Sequence, residues 1–188
     1  MNFTTLTLDE LRSELDRTTA DVRTAFGHLD GRQLNWRPDA ASWSVAQCLE
    51  HLVNANREMC GAIERAADPG VSRTIWQRLP AWPRLWGRLM VTSLTPANRR
   101  KLQAPRAARP SASDIATAVV DRFVTGQQEV TALIRRFEGH DLDRLIMVSP
   151  FVRVISYSVL DALRVITAHE RRHFEQAVRV TKTPGFPT

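Results

Sequence analysis

Apolar residues recur at three- and four-residue steps in four stretches of the chain, which is the pattern of amphipathic helices. The predicted helices span residues 8 to about 27, 45 to about 67, 114 to about 138, and 158–182. No strand-like alternation of useful length stands between them. The pattern therefore predicts an all-α fold.

Capping residues mark where these helices begin. Thr7 and Ser44 each precede a Glu or Gln by three positions, which is the capping-box pattern. Ser111 or Ser113 is predicted to cap the third helix, and Ser158 the last.

The connection between the second and third helices is long and irregular. Prolines divide residues 69–110 into short pieces, and only residues 84–94 fit a further short helix. Four amphipathic helices with one long crossover predict a four-helix bundle, and we expect residues 1–188 to form a single domain. The prolines of the crossover are Pro69, Pro80, Pro83, Pro96, Pro105 and Pro110.

Composition is that of a globular protein, with 43% hydrophobic and 24% charged residues. The N-terminus lacks a basic start followed by an apolar run, and no apolar run approaches the roughly 20 residues of a spanning helix. Cys48 and Cys60 lie too far apart along one predicted helix to form a disulfide with each other. We therefore expect a cytoplasmic protein with reduced cysteines and no transmembrane segment.

Positive charge is concentrated in the crossover. Residues 69–113 contain nine Lys and Arg and no acid, so the remainder of this +6 chain carries −3. The basic residues are Arg73, Arg78, Arg84, Arg88, Arg99, Arg100, Lys101, Arg106 and Arg109, and the tryptophans among them are Trp76, Trp82 and Trp86.

Three interpretations of this basic segment remain open. In the first interpretation the tryptophans cover one end of the bundle and the arginines form a solvated rim. In a second interpretation the chain is a non-enzymatic binding module that grips nucleic acid or an anionic surface. In a third interpretation the segment forms one wall of a pocket, in which Arg84 or Arg88 binds an anionic substrate.

The last predicted helix carries two histidines that could share a metal ion. His169 and His173 are four residues apart, so both imidazoles lie on one helical face and can reach a single ion at about 2.0–2.1 Å. Such pairs also arise by chance, so a third ligand from another element is needed. His51, at the edge of the apolar stripe of the second helix, is the candidate if the two helices are neighbours.

Two segments carry the histidines. They are Trp-Ser-Val-Ala-Gln-Cys-Leu-Glu-His-Leu at residues 43–52 and His-Glu-Arg-Arg-His-Phe-Glu-Gln at residues 169–176. Both resemble segments of the DinB/YfiT-like superfamily, whose members are regarded as metal-dependent enzymes. The resemblance covers residues 11–180 and is weakest over residues 69–110. It implies a four-helix bundle in which His51, His169 and His173 hold a divalent ion.

The resemblance also implies a class of activity. Several similar proteins conjugate or isomerise small molecules with a low-molecular-weight thiol, many are dimers, and most have no assigned reaction. We therefore expect a metal-dependent thiol S-transferase or a related hydrolase, with a small-molecule substrate, a homodimeric state and no nucleic-acid partner. Whether the chain is an enzyme at all is left open beside the binding-module interpretation.

Three imidazoles leave at least one position of the ion open, as in catalytic sites, and they suit zinc or nickel. Glu50 and Glu170 each adjoin a predicted ligand and are candidate acid/base residues. However, adjacent residues on a helix point about 100° apart, so solvated helix charges are the simpler interpretation of both.

Overall fold

The computed structural model describes residues 1–68, 70, 81–98 and 103–188, and this part of the chain is mostly helical. The helices are α1 (Leu8–Phe26), α2 (Gly31–Asn35), α3 (Val45–Ala67), α4 (Ala81–Ser93), α5 (Val119–Arg136) and α6 (Val159–Thr181). Short 3-10 turns lie at Phe3–Thr5 and Arg106–Ala108, and strands β1 (Ile146–Val148) and β2 (Ser156–Ser158) pair antiparallel. The predictions made for Pro69, Arg73, Trp76, Arg78, Pro80, Arg99, Arg100 and Lys101 fall outside the described residues.

The predicted caps of three long helices are confirmed. The Thr7 hydroxyl accepts a hydrogen bond from the backbone of Glu10, whose carboxylate accepts one from the Thr7 backbone in return. Ser44 caps α3 in the same reciprocal way. The Ser158 hydroxyl accepts from the backbone N–H of Asp161 at 3.0 Å and so opens α6.

The predicted start of the third helix was wrong. Helix α5 begins at Val119, five residues later than expected, and its N-cap Ala118 provides no side-chain cap. The amide of Asn35 holds the backbone of Ile115 on both sides, accepting from its N–H at 2.8 Å and donating to its C=O at 2.9 Å. Because the N–H and C=O of Ile115 are hydrogen-bonded to Asn35 and not within a helix, α5 begins only after Thr117.

The β1–β2 hairpin was not predicted. Its two strands have three residues each, which is too short for an alternation of apolar and polar residues to identify a strand. Met147 stands opposite Tyr157 in the ladder, and both side chains are almost fully buried. The chain is therefore mostly helical rather than entirely so.

The four long helices pack side by side. Helix α3 contacts both α5 and α6, and α1 contacts the same two helices. The apolar residues of α6 divide between two core clusters, with residues 159–168 in one and Ala177 and Val180 in the other. His169 and His173 fall in the interval between these clusters, as Asn56 does on α3. A polar layer therefore separates two apolar halves of the core.

Helix α4 confirms the short helix predicted in the crossover, although it begins three residues earlier. It contacts β2, α6 and the turn Phe3–Thr5. Gly87 allows this close approach, since a Cβ at that position would lie 2.1 Å from Oδ2 of Asp161 on α6.

Within the described residues, no helix combines the length and the apolar character needed to cross a bilayer. Cys48 and Cys60 are both free thiols, as expected from their spacing.

Candidate metal centre

Three histidine side chains meet between α3 and α6. His51 Nε2 lies 3.1 Å from His169 Nε2, and one nitrogen from each of His51, His169 and His173 lies within 4.8 Å of the other two. The ring centroid of His173 is 4.6 Å from each of the other centroids. The structure thus brings together the three residues predicted as ligands.

The positions follow from the packing of the two helices. His169 and His173 are one turn apart on α6, so their rings lie on one face of the helix, where they meet edge to face. Helix α3 lies against that face and presents His51 to it. His51 and His173 are buried, whereas His169 is only partly so, which leaves the His169 side of the cluster more accessible.

A backbone carbonyl sets the orientation of His51. Its Nδ1–H donates to the C=O of Ala108, in the turn Arg106–Ala108, at 2.6 Å. Because a neutral imidazole carries only one proton, the lone pair is then on Nε2, the atom that faces His169. A hydrogen bond of this kind commonly orients a metal-binding histidine. The role of Ala108 could not be predicted, since a carbonyl acceptor is available at any residue.

Trp43 covers another side of the cluster. Its ring stacks on His173 with centroids 5.6 Å apart and an angle of 24° between the planes, and it lies 4.9 Å from the His51 ring. The buried Nδ1 of His173 has no hydrogen-bond partner among the described residues. The contact of Trp43 with the histidines was not predicted from the sequence.

Burial lowers the pKa of all three histidines. The pKa of His173 falls to about 3, and that of His169 lies well below its usual value because the charges of His173, His51 and Arg172 add to the effect of burial. For His51 the bond to Ala108 opposes the effect of burial only in part. The rings are therefore neutral near pH 7, which is the protonation state that binds a metal ion.

These residues fit a divalent ion. Two nitrogens bound to one tetrahedral ion at about 2.0–2.1 Å lie about 3.3 Å apart, close to the 3.1 Å between His51 and His169. A proton shared between those two nitrogens would leave His173 unsatisfied, whereas a cation can bind all three rings. Neutral imidazoles without a nearby carboxylate ligand suit zinc or nickel better than magnesium or calcium.

Glu170 lies in the polar layer and points away from solvent. It is fully buried, and its Oε1 accepts hydrogen bonds from the side-chain amides of Asn56 and Gln127, each at 2.7 Å. Burial raises its pKa to about 7, although the two amide bonds and Arg171 act in the opposite direction. Glu170 thereby joins α6 to α3 and α5.

Glu50 holds the chain that follows Ala108. It is buried, its Oε2 accepts from the backbone N–H of Ser111 at 2.7 Å, and its other oxygen lies 3.5 Å from Arg122. Both glutamates thus have structural partners, and the acid/base role suggested for each stays a prediction.

The arginines suggested as substrate contacts lie on the outside of α4. Arg84 is 3.9 Å from Asp143, and Arg88 is exposed. Among the described residues, no hydrogen bond or ion pair joins either of them to the histidines, and their role in substrate binding stays a prediction. Arg172, next to His173 on α6, is the cation beside the cluster, and its guanidinium donates to the C=O of Ser93 at the end of α4.

Comparison with known proteins identifies a family. The family model of the DinB superfamily matches residues 14–177, which include all three histidines. No curated protein and no solved structure matches the chain.

Proposed function

This chain belongs to the DinB superfamily, and we propose that it is a metal-dependent enzyme whose divalent ion is held by His51, His169 and His173. The convergence of these rings is the observation that carries the proposal. His51 and His169 are 118 positions apart in the chain, yet their facing nitrogens lie 3.1 Å from each other. The ion is proposed to be zinc or nickel, since imidazole suits both.

A divalent ion bound to neutral imidazoles supplies a Lewis acid that lowers the pKa of a water or thiol at its open position. The chain prepares the site for this chemistry. The C=O of Ala108 holds the His51 ring with its lone pair inward, and burial keeps the rings unprotonated. Trp43 shields His173 from water, so the accessible side is that of His169.

We further propose that the co-substrate is a low-molecular-weight thiol and the substrate a small electrophile, which makes the reaction an S-transfer. A related hydrolase would use water in place of the thiol. The support is the resemblance of the two histidine-bearing segments to thiol-dependent members of the superfamily, together with a donor set that leaves the ion accessible from one side.

The proposed architecture is a single-domain four-helix bundle of α1, α3, α5 and α6, with α4 carried on the long crossover. It is supported by the contacts of α3 and of α1 with both α5 and α6. The free thiols of Cys48 and Cys60 support a cytoplasmic location. A homodimeric state and the absence of a nucleic-acid partner stay predictions.

Metal analysis of the purified protein tests the proposal directly. We expect close to one zinc or nickel ion per chain, and loss of the ion in His169→Ala. The matched control is His28→Ala, which removes an exposed histidine near the end of α1 and should keep the ion. Full retention of the ion in His169→Ala would refute the assignment.

The reaction is tested separately. Purified protein loaded with zinc or nickel is screened for conjugation of glutathione, bacillithiol or mycothiol to a chromogenic electrophile, with a metal-free sample and His169→Ala in parallel. Turnover that depends on metal supports the S-transferase. Hydrolysis of the electrophile without thiol consumption supports the hydrolase instead, and activity unchanged in metal-free protein contradicts both.

A further inference from the structure

Helix α4 presents a buried face and, opposite to it, an exposed apolar face. Pro83, Gly87 and Val91 recur at four-residue steps and are buried against the rest of the protein. Leu85 and Leu89 lie two positions further along, about 200° around the helix, and are 56% and 50% exposed. The helix therefore buries one face against the protein and exposes two leucines on the opposite face.

Arginines border this outer face. Arg84 and Arg88 are one turn apart and exposed, and each directly precedes one of the leucines. Asp143, itself half-exposed, lies 3.9 Å from Arg84. Residues 81–98 contain no acid, so the helix itself contributes only positive charge.

Large exposed apolar side chains are few among the described residues. They are Met1, Leu85, Leu89, Val152 and Val154. Leu85 and Leu89 lie one turn apart on the same face of α4, beside two exposed arginines. Apolar side chains grouped at a surface in this way mark an interaction site.

We propose that this α4 surface, formed by Arg84, Leu85, Arg88 and Leu89, binds the surface of an anionic phospholipid membrane. Arginines would contact lipid phosphates while the leucines enter the boundary between headgroups and acyl chains. Pro83 does not interrupt such a helix, because it lies in the first turn, where the backbone N–H has no intrahelical partner.

Charge and composition favour a membrane surface over a second copy of the chain and over nucleic acid. A second copy of the chain would bring the arginines of two α4 surfaces together. Among the described residues, Asp143 is the one acid paired with them on each copy, so like charges would outnumber opposite ones at such a contact. Nucleic acid would satisfy the arginines but would leave Leu85 and Leu89 in water. An anionic membrane surface is the partner that matches both groups of side chains.

Vesicle co-sedimentation of the full chain provides the test. We expect binding to vesicles of phosphatidylcholine mixed with phosphatidylserine, weakening with salt, and no binding to pure phosphatidylcholine. The double variant R84Q/R88Q should lose about 25-fold in affinity, since each arginine near the surface contributes about fivefold. The double variant L85S/L89S should lose at least about tenfold.

The matched control removes the same charge elsewhere. R57Q/R135Q changes two exposed arginines on α3 and α5 and should reduce the affinity by no more than about twofold. Circular dichroism and metal content, unchanged in all three double variants, show that the fold and the histidine cluster are intact. Failure of vesicle binding therefore says nothing against the metal-dependent enzyme.

Several results would overturn the proposal. These are absence of binding to the serine-lipid vesicles at low salt, and equal loss of affinity in R57Q/R135Q and R84Q/R88Q. A dimer that L85S/L89S abolishes would assign the surface to a second copy. Binding of duplex DNA that R84Q/R88Q weakens and L85S/L89S leaves unchanged would assign it to nucleic acid.

Discussion

Glu170 shows how a single buried side chain can organise its neighbours. Both amide groups that donate to its Oε1, those of Asn56 and Gln127, come from other helices and have little access to water. Removing the carboxyl group would leave two buried donors without an acceptor, and each such donor costs about 1–3 kcal/mol.

We therefore expect Glu170→Ala to lower the free energy of unfolding by roughly 2–5 kcal/mol, measured by urea denaturation. Glu170→Gln keeps the accepting oxygen and removes the buried charge, so it should cost clearly less. Glu175→Ala, at an exposed position of the same helix, should change stability by less than about 0.5 kcal/mol. Equal losses in Glu170→Ala and Glu175→Ala would contradict this account of the polar layer.

At the scale of single residues, the sequence predicted which side chains form the site but not the contacts that orient them. The spacing of His169 and His173 on a helical face predicted their proximity, and His51 was identified by its place on a neighbouring helix. The contributions of Ala108 and Trp43 could not be predicted, because they depend on how the crossover and the start of α3 lie against the histidines.

At the scale of elements, the approach of α4 to α6 depends on a glycine. Gly87→Ala would place a methyl group 2.1 Å from Oδ2 and 2.7 Å from Cγ of Asp161. Asp161 is buried and pairs with Arg164 at 3.0 Å, so it cannot move aside without breaking that pair. We expect a loss of about 1–3 kcal/mol in the free energy of unfolding, measured by urea denaturation.

Gly126→Ala is the control for this prediction. Gly126 lies inside α5, and a Cβ there would meet nothing within 4 Å. The substitution should stabilise the protein by about 0.5–1 kcal/mol, since alanine favours a helix more than glycine does. Similar effects of the two glycine substitutions would show that helix propensity, rather than the contact with Asp161, decides the outcome at Gly87.

The elements themselves were predicted best where local signals and burial agree. Thr7, Ser44 and Ser158 combine a cap with a following apolar stripe, and all three helices begin there. The start of α5 was misplaced because Asn35, eighty residues earlier in the chain, binds the backbone of Ile115. The hairpin was missed because strands of three residues are stabilised by tertiary burial rather than by a local pattern.

At the scale of the whole molecule, the histidine cluster makes the metal-free protein sensitive to acid. The unfolded chain binds a proton at His173 near pH 6.5, but the folded chain binds one only near its lowered pKa of about 3. Stability from this group is therefore complete above about pH 6.5 and is lost as the pH falls below it. His51 and His169 act in the same direction, because burial lowers the pKa of both.

Glu170 opposes this effect, since its raised pKa of about 7 lets the folded chain gain a proton first as the pH falls. Three histidines outweigh one glutamate, so we expect the free energy of unfolding to decrease between pH 7 and about pH 5. The measurement is urea denaturation in the presence of a chelator. His173→Gln should reduce the slope with pH, and an identical slope in both proteins would contradict the prediction.

The stacking of Trp43 on His173 also offers a way to follow metal binding by tryptophan fluorescence. If His173 binds the proposed ion, the indole stacked on it would be close enough for an open-shell ion such as nickel to quench its fluorescence, whereas closed-shell zinc would leave the emission nearly intact. The difference in emission between the native protein and a Trp43→Phe variant would isolate this indole from the other four tryptophans. Trp43, which shields the histidines, can thus serve as an intrinsic reporter of which metal ion they bind.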